Sequence, residues 1–274
     1  MKGAKRIIPG FNLSMGFTLT YLSLIVLIPV GVVMLKVTNL GIDEFIKIIT
    51  NSRVVSSYMV SLKCSFIAAI INSFFGLILA WVLVRYSFPF KRILDGLIDL
   101  PFALPTAVAG ISLTTLYSQK GWIGQYLYSI GIKSSFSSFG ITIALIFIGI
   151  PFVVRNIQPV LEELDTSYEE ASKMLGANNI TTFLKVILPE IKTPLLTGFG
   201  LAFARGLGEY GSVVFIAGNM PMKTEIAPLL IMSKLEQYDY NGAIAIALVM
   251  LIISFLILFV INLIATKNNK VLKG

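Results

Sequence analysis

The sequence contains no histidine and a single cysteine, Cys64, among 274 residues. Without histidine there can be no Ser-His-Asp triad, and without a second cysteine there can be no intramolecular disulfide. A zinc site built from Cys and His ligands is excluded for the same reason. Cys64 lies within an apolar run, so we expect a small buried side chain rather than a reactive thiol.

Charged residues are also scarce. Only 13% of the residues are Asp, Glu, Lys or Arg, whereas 56% are hydrophobic and the mean hydropathy is +0.85. A soluble domain carries about 25% charged residues. The composition therefore excludes an ordinary soluble enzyme and predicts an integral membrane protein. The net charge of +8 is spread over short connections between apolar stretches, which favours orientation in the membrane over nucleic-acid binding.

The long uncharged stretches predict an all-α polytopic protein with six transmembrane helices in one membrane domain, residues 1–274. A span requires about 20 apolar residues. The basic start, residues 1–6, resembles that of a signal peptide, but the following apolar stretch is long enough to span and no A-x-A-like site closes it, so we expect an uncleaved first span. The predicted spans are 14–36, 59–84, 97–117, 139–160, 193–217 and 242–265.

Lys and Arg concentrate at both ends of the chain and in the connections after the second and fourth spans. With six spans, these segments all lie on one side of the bilayer. The positive-inside rule then places both termini in the cytoplasm and the protein in the cytoplasmic membrane.

The segment between the fourth and fifth spans, residues 161–191, is the longest connection predicted on that side, and we call it the connecting segment. It holds six of the fourteen acidic residues. Thr166 or Ser167 can cap a helix whose first turn carries Glu169 and Glu170, where the helix dipole favours acids.

Gly176 can end that helix, and a second short helix from Ile180 to Leu188 is expected to stop at Pro189. Two short helices around a glycine form a compact protrusion suited to a soluble partner. The alternative is an ordinary capped loop.

Within this segment, Glu170-Ala171-Ser172, then Gly176, then the run 186–189 (VILP) resemble the EAA motif of ABC-transporter permeases. Ser172 departs from the family pattern, which has alanine there, but it is also small. The resemblance implies the type I ABC-importer permease fold, with a cytoplasmic coupling helix between helices 4 and 5 that docks on an ATPase subunit. The residues implied in docking are Glu169, Glu170, Ala171, Ser172, Leu175, Gly176, Ala177, Leu188 and Pro189.

Four further stretches, 48–66, 99–113, 150–164 and 203–219, are similar to the sulfate/thiosulfate branch of these permeases, the CysT type. The resemblance implies import of sulfate or thiosulfate with three kinds of partner: a CysW-like second permease, a CysA-like ATPase and an extracytoplasmic sulfate- or thiosulfate-binding protein. It also implies that this chain is not an enzyme and binds no cofactor, because ATP and Mg²⁺ belong to the ATPase. Molybdate/tungstate permeases share part of the pattern and remain the alternative, although they are usually shorter and lack the first span.

Two other classes are weighed against transport driven by ATP. The chain has no G-x-x-x-x-G-K-[ST] motif, so it cannot bind ATP in that manner itself. A sensor or assembly scaffold usually carries a soluble domain, and none is present. A non-ABC secondary transporter often shows inverted repeats and acids at mid-membrane. No repeat is evident here.

The fifth predicted span is interrupted by Arg205 and Glu209, which are four residues apart and share a helical face. An ionisable residue in a span faces the protein interior or a water-filled path. The pair is therefore either a structural ion pair or part of an anion pathway, and the two are not exclusive. A local break at Gly208 would expose backbone N–H groups to a sulfate. The candidate path residues are Arg205, Glu209, Gly208, Thr106 and Ser212.

The third predicted span begins with two prolines, Pro101 and Pro105. Each removes a backbone donor and kinks the helix. The prolines form either a plain kink or a hinge along the pathway. Asp99 beside them can pair with Arg92 or Arg155.

Overall fold

A computed structural model describes residues 11–271, apart from the side chains of residue 12 and residues 266–271. The lysines and arginine at positions 2, 5 and 6, residue 273, and the side chains of Lys267 and Lys270, all used above for orientation, lie outside this description. Over the described range the chain forms helices and no strand. They are α1 Phe11–Leu22, α2 Ile28–Thr38, α3 Ile42–Ile49, α4 Ser52–Arg85, α5 Lys91–Ile98, α6 Leu100–Ala103, α7 Thr106–Tyr117, α8 Gly124–Ser129, α9 Ser138–Glu163, α10 Ser167–Met174, α11 Asn179–Thr182, α12 Leu188–Leu207, α13 Val213–Ile216, α14 Ala227–Glu236 and α15 Tyr240–Val271.

Within residues 11–271, five helical stretches are long and apolar enough to cross a membrane. Two of them contain a π-helical turn, Ser23–Leu27 between α1 and α2 and Phe183–Ile187 between α11 and α12. The stretches are Leu13–Thr38, Ser52–Arg85, Ser138–Glu163, Asn179–Leu207 and Tyr240–Ala265.

The core consists of α4, α9 and α12. Small residues let their backbones approach closely, as is common where membrane helices pack. A Cβ on Gly198 of α12 would lie 2.9 Å from the Val153 Cα of α9, and one on Gly206 would lie 3.1 Å from the Ser65 Oγ of α4. These close contacts fix the position of α12 along both α4 and α9. Cys64 is buried, as expected.

Contacts at the two ends of this core set the helix directions. The Cys64 sulfur of α4 lies 3.6 Å from the carbonyl of Ser138 at the start of α9, and Arg85 at the end of α4 donates to the carbonyl of Leu164 just after α9. Helices α4 and α9 are therefore parallel, and α12 returns between them. We call the end that carries residues 161–191 the connecting-segment end, and the other the opposite end.

The third predicted span, 97–117, is not one continuous helix. Leu104 is extended (φ −81°, ψ 134°) because the following Pro105 disfavours the helical conformation, and α7 starts only at Thr106. Asp99 before the break contacts Arg155 at the connecting-segment end, while the Tyr117 carbonyl after it accepts from Ser134 at the opposite end. The interval thus runs the length of the core in two pieces.

The prediction that Pro189 stops the second helix of the connecting segment is wrong. The chain is helical from Asn179 to Leu207. The π turn Phe183–Ile187 widens the helix just before the proline, and the Leu188 N–H donates to the carbonyl of Phe183, five residues back. This wider turn accommodates the proline ring and its missing N–H, which would otherwise break the helix.

The fifth predicted span, 193–217, also differs in its bounds. Helix α12 ends at Leu207, and residues 208–212 form a turn before the short α13. Arg205 therefore lies in the last helical turn, where a cation complements the helix dipole. Glu209 lies beyond the helix.

Candidate functional site

Helix α10 lies at the exposed tip of the connecting segment. Its start is capped by Asp165, whose Oδ1 accepts the Ser167 N–H at 2.9 Å, whereas the expected Thr166 makes no side-chain cap. Glu169 and Glu170 occupy the first turn as expected. Gly176 has φ 83° and ends the helix in the left-handed conformation that glycine adopts without strain.

The two faces of α10 differ in what they contact. On the inner face, the Glu169 carboxylate lies 2.9 Å from Arg85 Nη2, and the Ser172 hydroxyl lies 3.0 Å from that of Thr182. On the outer face, Met174 is 89% and Leu175 88% exposed. Large apolar side chains exposed to this degree at a helix tip are typical of a protein-interaction surface.

The predicted docking residues therefore divide between these two faces. Glu170, Ala171, Leu175 and Gly176 are exposed and available to a partner. Ser172, Ala177, Leu188 and Pro189 are half-buried. Ser172, the one departure from the family motif, uses its hydroxyl inside the protein, so the substitution leaves the outer face unchanged.

The second predicted site lies at the end of α12. Arg205 Nη1 is 2.6 Å from Glu209 Oε2, and the Arg205 side chain is 35% exposed whereas that of Glu209 is 2% exposed. The other carboxylate oxygen of Glu209 accepts the Ser212 N–H at 2.8 Å and the Ser212 hydroxyl at 2.9 Å. Both hydrogen bonds that Glu209 Oε1 accepts thus come from Ser212, in the turn that follows α12.

The turn at residues 208–212 packs on α7 through glycines. A Cβ on Gly211 would collide with the Thr106 Oγ1, and one on Gly110 would lie 2.8 Å from the Ser212 Cα. Gly208 faces open space. The structure therefore brings together all five predicted path residues, with Pro105 one residue from Thr106. Pro101 lies separately, at the start of α6.

The break near Gly208 exists, but its N–H groups are not presented as expected. The Ser212 N–H is taken by Glu209, and the Glu209 N–H donates to the Gly206 carbonyl at 3.2 Å. The positive charge exposed at this site comes from the Arg205 guanidinium.

Of the two partners weighed for Asp99, the structure selects Arg155. Arg155 Nη2 is 2.6 Å from the Asp99 carboxylate, and Nη1 is 2.6 Å from that of Asp95. The contact with Asp95 was not anticipated. The pairs fasten the α5–α6 region to α9 on one side of the broken third span.

Two other ion pairs were also missed. Arg53 forms a two-pronged pair with the buried Glu225, with both N···O distances 2.7 Å. Arg85 directly follows the second predicted span, 59–84, and was counted above only among the basic residues of the connection after it. Its position at the end of a predicted span was the one sequence signal for a contact outside that span. Its partner Glu169 lies in the connecting segment, far away in sequence.

Long apolar helices that pack around one core, with a helical protrusion between α9 and α12, are the arrangement expected of an ABC-importer permease. The chain belongs to this class: residues 72–270 match the family of binding-protein-dependent transport system inner membrane components. It is therefore a multi-pass membrane protein of the permease type, and the predicted membership of this family is confirmed.

Among its relatives, the sulfate transport system permease protein CysT of Salmonella typhimurium is 45% identical over 271 residues, covering 99% of this chain and 98% of the relative. The protein of the same name from Synechocystis is 47% identical over 246 residues, covering 90% and 86%. A probable sulfate transport system permease of Chlorokybus atmophyticus is 49% identical over 256 residues, covering 93% and 90%.

Solved structures show the same fold at low identity. A chain of a bacterial alginate ABC transporter, in complex with an alginate-bound periplasmic protein, superposes with a TM-score of 0.74 at 14% identity and covers 94% of both chains. A chain of the MetNI methionine ABC transporter, in an inward-facing conformation, gives 0.59 at 18% identity over 78% of this chain and 95% of that one. Both support the type I ABC-importer permease fold.

Proposed function

We propose that this chain is the membrane-spanning subunit of an ATP-driven importer of sulfate and thiosulfate. The observation that carries the proposal is identity of 45% across 99% of the chain to a protein named as a sulfate permease. The molybdate alternative has no comparable support, since the relatives described above are all named for sulfate. The exposed Arg205 cation is consistent with an anionic cargo.

The partners follow from the same proposal. The exposed face of α10 docks on a CysA-like ATPase, which binds ATP and Mg²⁺ and performs the hydrolysis. A CysW-like permease completes the pathway, and an extracytoplasmic sulfate- or thiosulfate-binding protein delivers the anion at the opposite end. In this arrangement the connecting segment and both termini are cytoplasmic. The chain itself remains non-catalytic.

Uptake by the reconstituted complex tests this function. The chain is co-expressed with a CysA-like ATPase and a CysW-like permease, incorporated into vesicles with the binding protein, and supplied with labelled sulfate. We expect ATP-dependent uptake that excess thiosulfate suppresses and molybdate does not. Suppression by molybdate alone would assign the chain to the alternative branch, and uptake driven by an ion gradient without ATP would overturn the ABC mechanism.

For the pathway, we propose that Arg205 supplies positive potential to the passing anion while Glu209 holds the turn. A guanidinium that pairs with one carboxylate through a single Nη and is 35% exposed retains donors for a second anion. We expect Arg205→Gln to reduce sulfate uptake about tenfold, the effect of about 1.4 kcal/mol, and Arg205→Lys to retain part of it. Unchanged uptake by a normally assembled Arg205→Gln complex would rule this role out.

A further inference from the structure

Arg85, the last residue of α4, makes its contacts toward the connecting segment. Its Nη2 is 2.9 Å from the Glu169 carboxylate of α10 and donates to the Leu164 carbonyl at 3.1 Å. Its guanidinium also lies 5.7 Å from the ring centre of Trp81, one turn earlier. The Arg85 and Glu169 side chains are only 14% and 17% exposed, so this ion pair is shielded from water far more than an ordinary surface pair.

A cleft of about 530 Å³ separates the end of α4 from α10 beside this pair. Helix α10 packs on α11 and on the π turn rather than on α4. The Arg85 side chain therefore reaches across the cleft to hold α10. Trp81, Arg85 and Tyr86 line it on the α4 side, and Thr166, Glu169 and Lys173 line it on the α10 side.

Helix α4 connects this contact to the other site without interruption. It contains 34 residues and is about 50 Å long. Ser65 on α4 packs against Gly206, the residue after Arg205. A chain of direct contacts thus connects α10 to the turn that carries Arg205. It passes through Arg85 and along α4.

We propose that the Arg85–Glu169 pair is the joint through which displacement of the docking helix moves α4, so that it couples ATP hydrolysis to transport. Arg85 is a positioning residue, since it faces inward and touches neither the partner surface nor the anion. Two opposite charges 2.9 Å apart and shielded from water resist separation, whereas apolar contacts are non-directional and resist sliding less. The inference rests on the proposed function, because it takes the ATPase to dock on α10.

The test compares Arg85→Gln, Glu169→Gln and the exchanged pair Arg85→Glu/Glu169→Arg in the reconstituted complex. Arg92→Gln is the matched control, since Arg92 is exposed and makes no ion pair within the described residues. Complex assembly, binding-protein-stimulated ATP hydrolysis and sulfate transported per ATP are measured. For Arg85→Gln we expect assembly and hydrolysis to persist while sulfate per ATP falls about tenfold. Glu169→Gln should lower the same ratio. The exchanged pair should recover part of the loss.

An unchanged ratio in both single variants would overturn the joint, as would a parallel loss of hydrolysis and uptake. An exchanged pair no better than the single variants would overturn the pairing.

A second measurement needs no substrate. In the full chain, with Cys64→Ser, a spin label on Met174→Cys reports the mobility of α10. Arg85→Gln should increase that mobility, and an unchanged spectrum would contradict the joint. If the wild-type complex takes up no sulfate, the proposed function fails while this measurement still decides the role of Arg85.

Discussion

Ion pairs are built differently at the two ends of the helical core. At the connecting-segment end, Arg155 pairs with Asp95 and Asp99, whose side chains are 39% and 45% exposed. At the opposite end, the carboxylates of Glu209 and Glu225 are 2% and 1% exposed, while their arginines are 35% and 39% exposed. The Arg155 cluster leaves its acids and its arginine open to solvent alike, whereas the opposite end buries Glu209 and Glu225 and leaves their arginines facing outward. The Arg85–Glu169 pair, 14% and 17% exposed, differs from both.

In each ion pair at the opposite end, the buried carboxylate and the partly exposed guanidinium therefore have different roles. A buried carboxylate has lost its hydration and must be fully bonded, so it fixes the local fold. A half-exposed guanidinium keeps donors available. The opposite end therefore presents positive charge on a rigid support, as the proposed anion pathway requires. The connecting-segment end instead presents an apolar protein surface at Met174 and Leu175, held from behind by Arg85.

Removing a buried acid should have the largest effect on stability. Glu209→Ala deletes the partner of Arg205 and the acceptor of two Ser212 bonds, so we expect a loss of about 3 kcal/mol. Asp95→Ala at the other end should cost less than about 1 kcal/mol, because Arg155 retains Asp99 and solvent. Thermal unfolding of the purified protein in detergent compares the two. Equal losses would show that burial of the carboxylate does not distinguish the ends.

The second-largest effect concerns binding to the partner. Leu175→Asp places a charge on the exposed outer face of α10, and we expect ATPase affinity to fall about 30-fold, as for the loss of an interface hot spot of about 2 kcal/mol. Stability should not change, since Leu175 is 88% exposed. Ile130→Asp, 68% exposed at the opposite end, is the control and should leave affinity unaltered. Pull-down at graded ATPase concentration measures both, and an equal loss in the control would remove the docking surface from α10.

Uncharged intervals in the sequence were sufficient to predict four of the long helices, because hydrophobicity and length set them directly. The remainder depended on backbone details. Pro105 breaks the third predicted span. Pro189 does not break the helical stretch Asn179–Leu207, because the preceding π turn accommodates it. Both prolines carry the same local signal, and only the neighbouring structure distinguishes them.

Prediction of the site likewise succeeded for contacts between residues close in sequence and failed for most contacts between distant ones. The Arg205–Glu209 pair was predicted from i,i+4 spacing, and it forms even though the helix ends between the two residues. Short-range spacing was therefore a good guide to contact but a poor guide to helix geometry. Arg85–Glu169 joins residues 84 positions apart, counted from their numbers, and Arg155–Asp95 joins residues 60 apart. Such pairs are set by how α4, α5, α9 and α10 pack, which no local pattern encodes.

Close packing of the turn 208–212 on α7 predicts an intermediate effect. Gly211→Ala forces a methyl group into Thr106, so we expect a loss of about 1–2 kcal/mol and reduced sulfate uptake. Gly208→Ala adds the same methyl group to open space and is the matched control. Adding Thr106→Ala to Gly211→Ala should recover part of the loss, since it removes the hydroxyl in the way. Thermal unfolding and uptake are measured together, and equal effects at the two glycines would refute this packing.

The smallest expected effect concerns Asp239, which is an exception to the burial of acids at the opposite end. Asp239 lies at the opposite end, just before α15, yet its side chain is 38% exposed. Lys234 donates to it at 2.7 Å and the Gly242 N–H at 2.8 Å, and these bonds lower the pKa of Asp239 below its usual range. Because the folded-state pKa is depressed, the stabilisation is present above the unfolded-state pKa and is lost as pH falls through the folded value.

Asp239→Asn keeps a cap for Gly242 but loses the charge, so it should lower stability by no more than about 0.5 kcal/mol at neutral pH, as for an exposed pair. The difference from wild type should vanish once the pH falls below the depressed folded-state pKa of Asp239, when the native carboxyl is itself protonated. Unfolding temperatures of both proteins across this pH range provide the measurement, with Asp43→Asn as a control acid that makes no ion pair within the described residues. A loss comparable with that of Glu209→Ala would mean that partner geometry, rather than burial of the acid, sets the strength of ion pairs at this end.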